Sequence, residues 1–163
     1  MTTAGNHTRE QIEQILQNDW RNIGVELEIN NQPAKVFFGE TMRQRKFEHL
    51  ALYAWVSDPI SDGETLWTKE NIPSEKNNWH GQNMPGWVHD ESSEILHKVP
   101  VTLDEEARKE MLQREQIIWT EEIPVLPMFF RTDVAITHPS LQNWKLTGTM
   151  VPITWNAEQW FFK

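Results

Sequence analysis

Three histidines with neighbouring carboxylates are the first residues of this chain whose chemistry could serve catalysis or metal binding. His80, His89 and His97 lie close together in the sequence, and Asp90 and Glu91 directly follow His89. A zinc site needs three or four convergent ligands, and compact sites usually show tight spacings such as His-x-x-x-His. These histidines do not have such a spacing. The pattern therefore favours surface or hydrogen-bonded histidines and predicts no metal site.

The sequence contains no recognisable catalytic motif. A nucleophile elbow, a glycine-rich phosphate loop and a dinucleotide fingerprint are all missing. Carboxylate pairs such as Glu121-Glu122 fall at expected helix ends or on solvated faces. We therefore expect a protein that is not an enzyme and that needs no cofactor. A small hydrolase that uses His89 and Asp90 is the weaker alternative.

Tryptophan is the residue type that most favours a binding function. The chain has nine tryptophans, and Trp55, Trp67, Trp79 and Trp87 fall at or in a loop-rich region instead of on helical stripes. Large rigid aromatic side chains on loops suit stacking on sugars or packing against peptide side chains. For each of these four residues, packing in the core is an equally good interpretation of the pattern alone.

Length and composition restrict the class of protein. The chain has 163 residues, the size of one domain, and its net charge of -9 argues against a nucleic-acid partner. No apolar run approaches the length that spans a bilayer. The lack of cysteine excludes disulfides, thiol catalysis and cysteine metal sites. No signal peptide opens the sequence, and its first residues look like the middle of a strand and loop. We therefore expect a fragment of a longer protein.

Strands and helices alternate in the first third of the chain, which is typical of the α/β class. A capping-box pattern at Thr8–Gln11 predicts the start of a helix, and Gly24 predicts its end. Val25–Ile29 alternates between apolar and polar residues, as a strand with one solvated face does. Pro33 then predicts the first turn of a second helix, which extends to about Arg43.

Residues 50–55 predict a short, fully buried strand. Leu50, Leu52 and Ala54 lie on one face, and apolar residues also occupy the other. Such a strand needs cover on both sides, as in a sheet between helices. Trp55 ends the strand before an Asp58-Pro59 turn, and in open α/β sheets ligands bind beyond the carboxyl ends of the strands. Trp55 is therefore a candidate binding residue, although a core tryptophan fits the pattern equally well.

The second half of the chain predicts mainly helices. One helical turn is expected near residues 64–69 and a short helix at 91–98. A capping-box pattern at Thr102–Glu105 predicts the start of a longer helix that extends to about Trp119. The apolar segment Ile123–Phe130 predicts a strand, and its two prolines favour an edge or crossover position.

Several segments, in order along the chain, resemble the bacterial extracellular solute-binding proteins of the oligopeptide/dipeptide-binding family (family 5), which supply ABC importers. The resemblance covers about 130 residues, and its individual motifs are weak while their order is specific. The matching segments are Asn22–Leu27, Phe47–Trp55 with Asp58-Pro59, the Asn- and Gly-rich loop Asn77–Trp87, the helix at 105–119, and Ile123–Phe129.

The resemblance implies a fold and a domain organisation. It implies one α/β lobe of a two-lobed periplasmic binding protein, type II-like, with a mixed sheet flanked by helices. Residues 1–131 would form the second, C-terminal lobe. Residues 132–163 would be a returning segment that packs on the first lobe, which is missing from this sequence.

The resemblance also implies a function and a site. The lobe would help to enclose a peptide or a similar solute by hinge closure, for delivery to an ABC permease in the inner membrane, and the protein would be periplasmic. Family members often fix the peptide amine with an aspartate, and Ser93 occupies that position here. The alternative is a tryptophan-rich carbohydrate-binding protein or module. The expected ligand-binding residues are Trp55, Asn77, Trp79, Asn83, Trp87 and Ser93.

Overall fold

The structure is a computed structural model that describes residues 1–56, 63–130, 132, 134–147 and 151–163. The predicted Asp58-Pro59 turn lies outside the described residues. The chain divides into two compact units, each considered by itself below. Unit 1 consists of Met1–Ala54 and Asp62–Pro124, and unit 2 of Trp55–Ser61 and Val125–Lys163.

Unit 1 is predominantly helical in its described part. No described helix has the combination of length and apolar character that crossing a membrane requires. Short 3₁₀ turns occur at Lys69–Asn71, Glu75–Asn77 and Val99–Val101. The helices are α1 (His7–Arg21), α2 (Ala34–Val36, continued as a π-helix over Phe37–Met42), α3 (Glu64–Trp67), α4 (Asp90–Lys98) and α5 (Glu105–Glu122).

The helices lie where the sequence predicts them, but both predicted capping boxes are wrong. Asn6, and not Thr8, caps α1, because its side chain accepts a hydrogen bond from the backbone N–H of Arg9 at 3.1 Å. At α5, Asp104 accepts from the N–H of Ala107 at 2.7 Å. In each case two cap-forming residues lie two positions apart, and either could have satisfied the free amides of the first turn.

The predicted strands at 25–29, 50–55 and 123–130 are not strands, and Ile123 has a left-handed backbone with φ 46° and ψ 60°. The 50–55 segment is also not fully buried, since Leu50 is 46% exposed. A strand needs a neighbouring strand on which to form a ladder and side chains that cover both faces. Residues 50 and 52 contact Met1, whose amino group donates to the Leu50 carbonyl at 3.1 Å and whose carbonyl accepts from Leu52 N–H at 2.8 Å.

These contacts nevertheless follow the predicted α/β order. Thr3 and Gln32 form an isolated parallel bridge, so residues 1–4 lie between the end of the 25–32 segment and the 50–52 segment. Residues 1–4 thus have one neighbouring segment on each side, and each neighbour follows a helix in the chain. Among the described residues these contacts amount to one isolated parallel bridge and single hydrogen bonds, and not to a sheet.

A small core lies between α4 and α5. Ile95, Val99 and Ile118 are buried together, and partly buried Trp87, Met111 and Leu112 pack against them. The ring of Trp119 meets that of Trp67 edge-on, with centroids 5.6 Å apart and planes at 74°. This contact links α3 to α5 and fixes the start of the loop that follows α3.

Unit 2 has little regular structure among its described residues. Its sheet has two short antiparallel strands, β1 (Leu141–Gln142) and β2 (Phe161–Phe162), with Leu141 opposite Phe162. Asn156 is fully buried, donates to the Asn143 carbonyl at 2.6 Å and accepts from the Trp160 indole at 2.9 Å. This asparagine therefore joins the residue that follows β1 to the residue that precedes β2.

Candidate functional site

Asn83 is the centre of the Asn- and Gly-rich loop. Its side chain is fully buried, and its amide nitrogen lies within 3.3 Å of the Trp67, Thr68 and Trp87 carbonyls. Its side-chain oxygen accepts from the N–H groups of Gly86 and Trp87 at 3.0 and 3.1 Å. All of its polar atoms are therefore used within the loop, which ties the loop to the end of α3.

Gly81 allows the backbone of this loop to approach the backbone of the 3₁₀ turn Lys69–Asn71 closely. Its φ is +101°, and a Cβ atom there would lie 2.1 Å from the Asn71 carbonyl oxygen. The N–H of Asn83 donates to that same oxygen at 3.0 Å. Only glycine combines this backbone conformation with this contact.

Asn77 also acts within the loop. Its side-chain oxygen accepts from Ser74 N–H at 2.9 Å, and its amide donates to the Ile72 carbonyl at 2.9 Å. Together these bonds close the 3₁₀ turn at Glu75–Asn77. Asn77 and Asn83 therefore shape the loop from two sides.

Trp79 is the loop residue whose backbone is most unusual. It has φ +60° and directly follows Asn78 at φ +53°. Left-handed conformations cost free energy for residues with a Cβ, and bulky residues rarely adopt them. The N–H of Trp79 donates to the Ser74 carbonyl at 2.8 Å, and its side chain is half-buried. The loop thus holds a tryptophan with part of its indole at the surface, in a strained position typical of functional sites.

Trp87 and His89 form a stack at the start of α4. Their ring centroids are 5.7 Å apart, with planes at 30°. His89 caps α4, because its Nδ1 accepts from the Ser92 N–H at 3.2 Å. The Trp87 indole N–H is buried without a hydrogen-bond partner in the described part of the chain. Trp87 is therefore attached to the core between α4 and α5 and also to the N-terminus of α4.

Ser93 is a buried residue of α4. It is 3% exposed, and its hydroxyl accepts from the Lys69 backbone N–H at 3.4 Å. The Lys69 side chain instead pairs with Asp90 at 2.7 Å. The hydrogen bond to Lys69 and its positive charge lower the pKa of Asp90, and the same partnership raises the pKa of Lys69. Lys69, whose backbone N–H contacts Ser93, thus forms an exposed ion pair with Asp90, which the sequence analysis missed.

Trp55 belongs to unit 2 and is 44% exposed. The other five expected ligand-binding residues all belong to unit 1, within residues 77–93. Two further loop contacts also escaped sequence analysis: Arg45 donates to the Met84 and Pro85 carbonyls at 3.0 and 3.3 Å. No sequence signal marks an arginine forty residues away as a hydrogen-bond donor to this loop.

His97, the last of the three histidines, contacts two glutamates. His97 Nδ1 lies 3.2 Å from Glu64 Oε1, and its Nε2 lies 3.3 Å from Glu70 Oε2, so each nitrogen faces a different carboxylate. Within the described residues no group of three or more histidine and carboxylate side chains is arranged to hold a metal ion.

Comparison with known proteins finds relatives that share this fold. The chain is 27% identical over 143 residues to the oligopeptide-binding protein OppA of Bacillus subtilis (strain 168), a match that covers 85% of this chain and 24% of OppA. Among solved structures, the oligopeptide-binding protein of Thermus thermophilus, complexed with a pentapeptide, matches 99% of this chain and 29% of its own length. The TM-score of this match is 0.83 and the identity is 32%. No family model matches the chain.

A more distant structure shows the same fold. NikZ of Campylobacter jejuni, in complex with Ni(L-His), has a TM-score of 0.68 at 19% identity and matches 98% of this chain and 32% of its own. The fold is therefore that of a lobe of the periplasmic binding proteins, as predicted. The chain is similar to a segment of these solute-binding proteins, and it spans less than a third of the length of the relatives it matches.

Proposed function

We propose that this chain is part of a receptor that captures peptides, or similar small solutes, for an ABC importer. The match to a pentapeptide-bound oligopeptide-binding protein, at 32% identity over 99% of this chain, is the observation that carries the proposal. The carbohydrate-binding alternative finds no support among the matches. The relatives are binding proteins, and the proposed function is accordingly non-catalytic.

The proposed mechanism is hinge closure over the ligand. Residues 1–131 would form one lobe, residues 132–163 would pack on the other, and closure would bury the ligand and present the closed form to the permease. This mechanism requires an extracytoplasmic location, which we propose on the basis of the family. It also requires a second lobe, and we expect the 163-residue chain alone to bind peptide poorly.

We propose two different roles for the six candidate residues. Trp55 and Trp79 each have part of the side chain at the surface and would contact the ligand. Asn77 and Asn83 would act through the loop, because their polar atoms bond to it. Trp87 and Ser93 would hold the residues that contact the ligand in position.

Recognition of the peptide amine should differ from that in family members with an aspartate at the Ser93 position. A serine hydroxyl has no charge, and a charge-assisted hydrogen bond is about twice as strong as a neutral one. Ser93 is in addition buried and bonded to the Lys69 backbone. We therefore propose that the free amine contributes little to affinity through this residue.

Native mass spectrometry of the complete protein, purified without denaturation, tests the function. Release of a ladder of peptide masses supports the proposal, and release of sugars contradicts it. Calorimetric titration of the ligand-free protein with a pentapeptide, and with the same peptide acetylated at its N-terminus, then tests the role of the amine. Similar affinities are expected, whereas a hundredfold loss on acetylation would show that another group binds the amine.

A further inference from the structure

Glu115 is a carboxylate buried between α4 and α5. The residue is 7% exposed, although it lies on a helix with many exposed glutamates. The Ser92 hydroxyl, from α4, donates to Oε1 at 2.8 Å. Oε2 is buried and has no hydrogen-bond partner among the described residues. An ionised carboxylate in this position has lost water on both oxygens and regained a donor on only one, which is unfavourable.

The charged groups around Glu115 do not neutralise it. Arg114, its neighbour on α5, is held by Glu91 of α4 through two bonds of 2.7 and 2.8 Å. His89, at the N-terminus of α4, is the nearby group that can become positive. The turn Val99–Val101, which also packs on α5, carries no titratable side chain. In α3, Glu64 faces His97.

Burial raises the pKa of the Glu115 carboxyl group. The Ser92 hydrogen bond and the charge of His89 oppose this rise in pKa, and Glu91 adds to it. A raised pKa in the folded state means that folding favours the protonated form. The direction agrees with the geometry, since a neutral carboxyl group needs no compensating charge.

We propose that Glu115 is a proton-operated switch in which uptake of one proton strengthens the packing of α4 against α5 and its release weakens that packing. Below the ordinary glutamate pKa, the group is protonated in both folded and unfolded states, and the stability that protonation contributes is fully present. Above its folded-state pKa, the folded state holds an ionised, half-satisfied carboxylate. The stability of unit 1 therefore falls as the pH rises through this interval. The proposal is independent of which ligand the protein binds.

Glu115→Gln tests the switch, because glutamine has the same shape and cannot ionise. In the complete protein, hydrogen exchange would be followed in peptides covering residues 90–122, from about pH 4.5 to about pH 8, after correction for intrinsic exchange rates. We expect the variant to show several-fold higher protection than the wild type at the upper end of this range. The difference should vanish towards pH 4.5, the ordinary value for glutamate. The exposed Glu110→Gln on the same helix is the matched control and should leave the pH profile unchanged.

A variant and wild type with parallel pH profiles would overturn the proposal, as would lower protection of the variant at neutral pH. Ser92→Ala provides a second test that does not alter the carboxyl group. The hydrogen bond from Ser92 stabilises the ionised form of Glu115. Removing this bond should therefore move the midpoint of the pH profile to higher pH. A midpoint that stays in place would also contradict the switch.

Discussion

Each of the two compact units contains a fully buried asparagine, and the two asparagines differ in how much structure they organise. Asn83 in unit 1 bonds to five backbone groups around a loop. Asn156 in unit 2 bonds to one carbonyl and one indole. The Asn83 loop is also attached to a core of buried helical residues. The loop of unit 1 is thus specified by contacts within its own unit. The described part of unit 2 includes apolar side chains that are almost fully exposed, such as Phe130 and Ile136 at 101% and 96% exposure.

Of the substitutions compared, Gly81→Ala should lower the free energy of unfolding the most. The new Cβ would meet the Asn71 carbonyl at 2.1 Å and would also hold alanine in a left-handed conformation. Together these effects should lower the free energy of unfolding by about 3 kcal/mol or more. Denaturant unfolding of the complete protein measures the loss. Gly5→Ala is the control, since Gly5 has φ +82° and open space around its Cβ position, and it should cost about 1 to 2 kcal/mol. Equal losses for the two variants would show that the contact with the Asn71 carbonyl does not add to the cost.

Asn83→Ala should lower the free energy of unfolding by about 2 to 3 kcal/mol, because it leaves buried backbone groups without partners. It should also increase hydrogen exchange at Trp87, whose N–H loses its partner, and less so at Gly86, whose N–H keeps a bond to the backbone carbonyl of residue 83 at 3.2 Å. A loss below about 0.5 kcal/mol would mean that water replaces the side chain without cost.

Asn156→Ala should cost less, about 1 kcal/mol, because fewer groups lose their partner. The expected local signal is a change in the environment of Trp160, whose indole donates to Asn156. Fluorescence of the variant, compared with a Trp160→Phe background, identifies this signal. A cost equal to that of Asn83→Ala would remove the distinction between the two units.

The smallest effect is expected at the exposed Glu91–Arg114 pair on unit 1. The hydrogen bond from Arg114 lowers the pKa of Glu91, so the pair contributes stability above the ordinary glutamate pKa and loses it as the pH falls through the lowered value. Glu91→Gln should therefore reduce the melting temperature slightly at about pH 7, and this reduction should shrink as the pH falls through the lowered pKa of Glu91. High salt should diminish the difference, and a salt-independent difference would contradict the assignment.

The sequence predicts helices in this chain better than it predicts strands or loop contacts. α4 and α5 appear within a few residues of their expected positions because helix hydrogen bonds are local. The apolar pattern at 50–55 predicts a buried strand, but burial there depends on neighbours that the pattern does not contain. For the site, the six residues are selected as ligand contacts, and that selection stays a prediction. The buried position of Asn83 could not be predicted, because three of its partners are carbonyls and carry no sequence signature.

The edge-on contact between Trp67 and Trp119 has a practical consequence. Two indole rings 5.6 Å apart and nearly perpendicular are close enough for their electronic transitions to couple. Such a pair gives a split band in circular dichroism that single, isolated tryptophans do not give. The protein thus contains a label-free optical reporter of the contact between α3 and α5. Replacing either ring with phenylalanine would assign the band.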